Sequence, residues 1–215
     1  SSPNRSTYLS VLAKNLPLVS KNAPFIVDGS AVTLGDRLDS EDASNERGNH
    51  FVDLGRLTVG ANGYLATREV GRLTAIVDGT YAVVIDRFSA AINQRYDLSW
   101  RGRGARTTRS NTTGLQAFSW AGVGNAAPRL DLDVVGTGSL SSAANASLFA
   151  PAWNTEETID GVLVGTNAET AAFVSVVQIG AGSARAVSSV GGSQVAAAAI
   201  VSGGTRDTVL ATLST

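Results

Sequence analysis

The 215-residue sequence has no cysteine, no methionine and a single histidine, His50, and only Lys14 and Lys21 among its 17 basic residues are lysine. Without thiols there are no disulfides, no thiolate nucleophile and no cysteine-ligated zinc or iron–sulfur site, so stability must come from packing or association. One imidazole does not make the several-ligand set that a zinc site draws on. Any Ser–His–Asp arrangement would have to use His50, yet no Gly-x-Ser-x-Gly elbow presents a nucleophile. His50, in Arg47-Gly48-Asn49-His50-Phe51, therefore reads as a structural or surface residue leading into a strand.

Charge is also sparse. Only 16% of residues are charged and the formal net charge is −1, which implies no general attraction to nucleic acid or to an anionic membrane. The longest apolar run, Val195 to Val201, is far short of the roughly 20 residues a membrane-spanning helix needs. Ser1 to Leu12 lacks the basic-then-apolar pattern of a signal peptide.

What is present is enough apolar material, 43%, for one large β domain or two small ones. Tyr8, Leu9, Val11, Leu12, Leu16 and Leu18 fit one face of a short helix over Thr7 to Leu18, ended by Pro17, so residues 1–24 are expected to form an N-terminal helix or arm. Residues 25–215 are expected to form the β-rich domain. There, short runs of β-branched and aromatic residues are punctuated by Asp28-Gly29, Asn62-Gly63, Asp78-Gly79 and Asp160-Gly161, dipeptides suited to hairpin turns with φ > 0. Three share a phrase, Ile26-Val27-Asp28-Gly29, Ile76-Val77-Asp78-Gly79 and Ile159-Asp160-Gly161-Val162, at irregular spacing, which argues against a solenoid or propeller.

Further strands are expected at Tyr96 to Trp100, Leu115 to Trp120, Leu130 to Val135, Ala172 to Ile179, Gln194 to Val201 and Thr208 to Leu213. Ser139 to Trp153, rich in Ser, Ala and Asn, reads as a long loop or a boundary between two lobes, with the loop favoured. The predicted fold is all-β, an antiparallel sandwich or barrel. Gly122-Val123-Gly124, Gly136-Thr137-Gly138 and Gly180-Ala181-Gly182 begin like a dinucleotide fingerprint but lack the third glycine and the helix, so they read as turns.

Candidate chemistry is thin. Asp36, Asp39, Glu41, Asp42 and Glu46 lack the spacing of a calcium loop and read as solvated, with calcium left open. Asp131/Asp133 and Glu156/Glu157 are the carboxylate pairs a glycoside hydrolase would need, but Asp131 and Asp133 alternate with Leu130 and Leu132 as the wet face of a strand. Arg95, Arg101, Arg103, Arg106 and Arg109, interleaved with Tyr96 and Trp100, have the composition of a phosphate-tracking, base-stacking surface for nucleic acid or another polyanion, or of a loop that pairs with acidic groups on the same or a neighbouring subunit. Asn4, Asn111 and Asn145 match the glycosylation acceptor pattern, which arises often by chance in a chain rich in Ser and Thr. No cofactor or metal is implied.

The many Asp-Gly phrases, the helical arm, the lack of cysteine and the small-residue C-terminal stretch Ala171 to Thr215 together resemble virion structural proteins of tailed bacteriophages. The resemblance implies a non-enzymatic subunit of a self-assembling particle, a head decoration, capsid-associated, tail-tube or fibre protein assembled in the host cytoplasm. Its partners would be copies of itself and other particle subunits, met through the arm or the C-terminal strands. The rival is a secreted or cell-surface carbohydrate-binding or adhesin sandwich in which Trp100, Trp120 or Trp153 stacks on a sugar ring.

Overall fold

The computed structural model describes the backbone of residues 17–19, 32–34, 43–44, 50–59, 67–77, 80–123, 128–149, 157–180, 185–202 and 204–213, and the side chains within 71–77, 80–123, 128–146, 157–180, 185–201 and 204–213. Fifteen strands are described: β1 (Pro17–Val19), β2 (Val32–Leu34), β3 (Ala43–Ser44), β4 (His50–Val59), β5 (Thr67–Val77), β6 (Tyr81–Gly102), β7 (Arg106–Asn111), β8 (Gln116–Trp120), β9 (Leu130–Gly136), β10 (Ser141–Ala144), β11 (Ser147–Phe149), β12 (Glu157–Ile179), β13 (Ala186–Ser189), β14 (Val195–Ser202) and β15 (Thr205–Thr212). All pairings are antiparallel. One large sheet runs β2-β4-β5-β6-β12-β9-β8-β7, and β13-β14-β15 make a second.

The two long central strands explain the architecture. Phe88 and Tyr96, both in β6, stack with ring centroids 4.7 Å apart. Eight residues of straight strand would separate them by roughly 26 Å, so β6 folds back on itself. The bend falls at Ala91, Ile92 and Asn93, which are exposed, and β12 bends opposite, where the register shifts between Ala168 and Thr170. The C-terminal half of β6 and the N-terminal half of β12, with β1, β10 and β11, thus form a layer over the rest of the large sheet. Between them lies a core that includes Phe88, Tyr96, Leu98, Phe118, Trp120, Leu132, Val164 and Phe173.

Residues alternating with these face the other way. Tyr81, Val83, Val135, Ala172, Val174 and Val176 pack against Ala196, Ala198, Ile200 and Ala211 of the small sheet. The C-terminal half of β12 is covered on both faces, which is why Ala171 to Val176 reads as a nearly unbroken run of small and apolar residues. The hydroxyl of Tyr81 donates to Asp207 Oδ2 at 2.8 Å, and the Arg185 guanidinium lies 4.2 Å from its ring centroid, tying the sheets together polarly.

The all-β sandwich expectation holds, and each further strand expected from Tyr96 onward falls on β6, β8, β9, β12, β14 or β15, with Leu115, Gln194 and Leu213 just outside their strands. Three expectations need correction. Pro17 and Leu18, assigned to a helix, are extended and pair with Leu98 and Asp97; the rest of 1–24 lies outside the described residues. The 139–153 loop carries β10 and β11, both paired to β12, because small polar side chains suit an edge strand as well as a loop.

Asp160-Gly161 is not a turn but mid-strand. A Cβ on Gly161 would stand 2.9 Å from Arg101 Cγ and from the Trp100 carbonyl, and closer still to the Asn145 carbonyl, so this glycine admits a neighbouring backbone. Gly161→Ala is therefore expected to lower stability by about 1–3 kcal/mol, read as a shift of the denaturation midpoint at unchanged slope. The hairpins around Asn62-Gly63 and Asp78-Gly79 do join paired strands, β4 to β5 and β5 to β6, though those turn residues, and Asp28-Gly29, lie outside the described residues. Gly122, Gly138 and Gly180, from the partial fingerprints, take positive φ as turn residues do.

Candidate polyanion-binding face

The five arginines that cluster in sequence are divided by the fold. Arg95 and Arg101 alternate with Tyr96, Leu98 and Trp100, so they lie with Asp97 and Ser99 on the side of β6 turned away from the first core, where Asp97, Ser99 and Arg101 are themselves buried. Arg103 follows the end of β6. Arg106 and Arg109 lie on β7, at the far end of the large sheet's strand order.

Most of these cations are already engaged. Arg95 Nη2 lies 2.7 Å from Asp97 Oδ1, and its Nη1 donates to Ser141 Oγ at 2.8 Å. Arg103 makes a two-pronged contact with Glu157, at 2.6 and 3.0 Å. Arg106 sits over the Phe118 ring at 5.5 Å. Arg109 donates to Asp133 Oδ2 at 2.9 Å and stands 3.8 Å from Asp131, which also takes Arg129 at 2.7 Å.

Arg101 differs. It is 7% exposed, its Nη2 donates to Ser99 Oγ at 3.1 Å, and its Nε has no hydrogen-bond partner. No carboxylate of the described residues forms an ion pair with it. Burial pulls its pKa down to about 10, so it still carries its charge at neutral pH. Ser99 Oγ also accepts from Asn145 Nδ2 at 3.0 Å, and the Asn145 backbone N–H donates to the Gly161 carbonyl at 2.9 Å. Ser99 and Asn145 escaped the sequence reading because a serine in a strand and a chance glycosylation pattern give no signal of a shared neighbour 46 residues away in sequence.

The other candidates resolve as structure. Asp131 and Asp133 lie under Arg109 and Arg129 rather than across a cleft; burial raises the Asp133 pKa, Arg109 opposes that, and Asp131 adds to it. Glu157 is held by Arg103, and Glu156 lies outside the described residues. Trp120 is fully buried with Nε1 donating to the Asp160 carbonyl at 2.9 Å, so it has no free face for a sugar. Trp100 is partly buried against the first core, with the Arg72 guanidinium 5.8 Å from its ring centroid. Trp153 lies outside the described residues, as do the side chains of the 36–46 stretch and of His50; the His50 backbone opens β4.

Among the described residues no three His, Asp or Glu side chains gather as a metal site, and no helix is long and apolar enough to cross a membrane. A cavity of about 230 Å³ is lined by Thr113, Gly114, Gly136, Gly138 and Ser189 among others, and none of its lining groups ionises.

No family model matches the chain, and no curated protein does. Solved structures do. The chain superposes over 97% of its length on a heparinase III crystal structure, with a TM-score of 0.68 and 14% identity, covering 31% of that protein. A second heparinase III structure matches over 97% with a TM-score of 0.65 and 12% identity. A heparan sulfate lyase from Pedobacter heparinus matches over 99% with a TM-score of 0.67 and 12% identity, again with only 33% of that protein covered.

The chain thus spans about a third of the length of these enzymes and shares the fold of that third. This likeness overturns the expectation of a bacteriophage virion subunit. The small residues that suggested subunit interfaces serve packing within the chain: Ala196, Ala198 and Ala211 let the small sheet sit closely on the large one. What the comparisons establish is a sandwich fold held in common with part of glycan-acting enzymes.

Proposed function

We propose that this chain is a carbohydrate-associated β-sandwich module that contacts an acidic polysaccharide through the face of β6, β10 and β12 carrying Arg95, Arg101 and Arg103. The observation that carries this reading is the likeness over nearly the whole chain to one third of enzymes that are named for heparin and heparan sulfate. The arginine-rich face is consistent with it, since guanidinium groups match sulfate and carboxylate geometry. With a formal net charge of −1, attraction must be local to that face rather than a property of the whole protein.

In this reading the module supplies glycan contacts and is not a self-contained catalyst. The buried carboxylates Asp86 and Asp97 pair with Arg72 and Arg95 as structural counter-ions, Asp97 through Oδ1 alone, its Oδ2 having no hydrogen-bond partner. Retention of the purified chain on immobilised heparan sulfate, on hyaluronan and on neutral dextran is the test. The expected result is retention on the acidic matrices that falls as salt is raised, as for contacts screened by ions, with none on dextran. Equal retention on all three, or on none, would defeat the proposal.

A further inference from the structure

We infer that Arg101, Ser99 and Asn145 form a subsite for a single oxyanion, a sulfate or a carboxylate, carried by an acidic sugar chain. The inference deepens the glycan reading above and rests on it for the identity of the ligand. Its basis is the isolation of Arg101. Arg72, Arg95, Arg103, Arg109 and Arg129 each face a carboxylate. Arg101 is more buried than any of them, pairs with no carboxylate of the described residues, and leaves Nε without an acceptor; Arg106 and Arg185 also leave Nε without one, but each lies over an aromatic ring, Phe118 and Tyr81. A buried guanidinium in that state bears a desolvation cost that an oxyanion would relieve.

The surroundings prepare the site. Ser99 Oγ accepts from both Arg101 Nη2 and Asn145 Nδ2, so both of its lone pairs are used and its own O–H must donate elsewhere. An oxyanion beside Arg101 would receive that hydrogen together with the guanidinium hydrogens. The Asn145 backbone is fixed by its bond to Gly161, which lies directly across from Arg101 in the register, and the missing Cβ there leaves room for the Arg101 stem. One step along the same face stands the Arg103–Glu157 pair, with side chains 49% and 31% exposed. A second anion of the same polymer can compete with Glu157 for Arg103, giving a linear ligand two points of attachment.

A purely structural arginine and a binding arginine predict opposite outcomes. Arg101→Met keeps much of the apolar stem and removes the buried unpaired charge. It is expected to melt at the same temperature or higher while weakening binding of heparan sulfate oligosaccharides by about tenfold or more, the scale of a charge-assisted hydrogen bond. Arg101→Lys keeps the charge without the planar fork and is expected to recover only part of the affinity. Arg206→Ala, an exposed arginine on β15, is the control and should bind as the unaltered chain does.

Titration with dextran sulfate and with hyaluronan separates sulfate from carboxylate as the preferred group. Thermal stabilisation by inorganic sulfate, present in the unaltered chain and lost in Arg101→Met, reads the subsite without any glycan. If the unaltered chain binds glycan and Arg101→Met and Arg101→Lys bind it equally well, the subsite is wrong and the glycan reading stands. If sulfate stabilises through Arg101 but no acidic glycan binds, the subsite stands and the glycan reading fails. A large fall in melting temperature of Arg101→Met with no change in sulfate response would overturn the inference in favour of a structural role.

Discussion

Replacing Trp120 by alanine is expected to cost about 3–5 kcal/mol of folding stability, the range for emptying an aromatic site in a packed core. Trp120 is fully buried at the end of β8, with its ring centroid 6.4 Å from that of Phe118. A Cβ placed on Gly102 would overlap its indole, so the ring fills the space between the end of β6 and β8. Its Nε1–H also satisfies the Asp160 carbonyl, linking β8 to β12, two places away in the sheet order. The alanine variant therefore loses apolar burial, leaves a cavity and removes the donor for a carbonyl. Trp120→Phe should fall in between, and Trp100→Phe should cost less than Trp120→Phe, because Trp100 is only partly buried and its Nε1 has no partner to lose. Chemical denaturation of the three variants measures the order. Equal costs at the two tryptophans would mean that the bent layer does not close on β8 as described.

Arg72→Ala is expected to be of similar size and, unlike the core variant, to depend on pH. Asp86 is fully buried and takes two hydrogen bonds from Arg72, at 2.6 and 2.9 Å. Removing one partner of a buried pair leaves an uncompensated charge, typically about 3–5 kcal/mol. Burial already raises the Asp86 pKa, with Arg72 opposing the rise through its charge and its hydrogen bonds. A carboxyl whose folded-state pKa lies above its unfolded value binds its proton more tightly when folded, so stability falls as pH rises through the window between the two. Without Arg72 the folded-state pKa climbs further and the window widens upward. The Arg72→Ala deficit should thus be greatest near neutral pH and shrink on acidification, as Asp86 takes up a proton. A deficit that is constant between mildly acidic and neutral pH would show that the pair is not buried as a pair.

How far the sequence revealed this arrangement follows from the range of the forces involved. Alternation and β-branched content are local, so β8, β9, β14 and β15 were legible from runs such as Leu130 to Val135. The bends of β6 and β12 were not, because they depend on which distant strands cover each half; Tyr96 to Trp100 looked like a separate strand when it is the returning half of β6. Asp160-Gly161 carries the same local signal as Asp78-Gly79, and only the approach of the Asn145 backbone shows that Gly161 serves mid-strand packing rather than a turn.

The arginine cluster was visible as a composition, while its partition was not. Alternation along β6 puts Arg95, Asp97 and Arg101 on one face, where Arg95 pairs with Asp97 on its own strand and Arg101 pairs with no carboxylate of the described residues. Likewise Trp100 and Trp120 were equal candidates for sugar stacking until packing buried one of them. The reading as a particle subunit failed at the same level: small-residue strands are needed wherever sheets approach closely, and in this chain the closeness is within one molecule.

The most direct test of the account is hydrogen exchange of the chain with and without a heparan sulfate oligosaccharide. The predicted result is added protection in the segments around Asp97 to Arg103, Ser141 to Asn145 and Glu157 to Leu163, with none in β13 to β15. Protection confined to the small sheet, or no protection at saturating oligosaccharide, would contradict it.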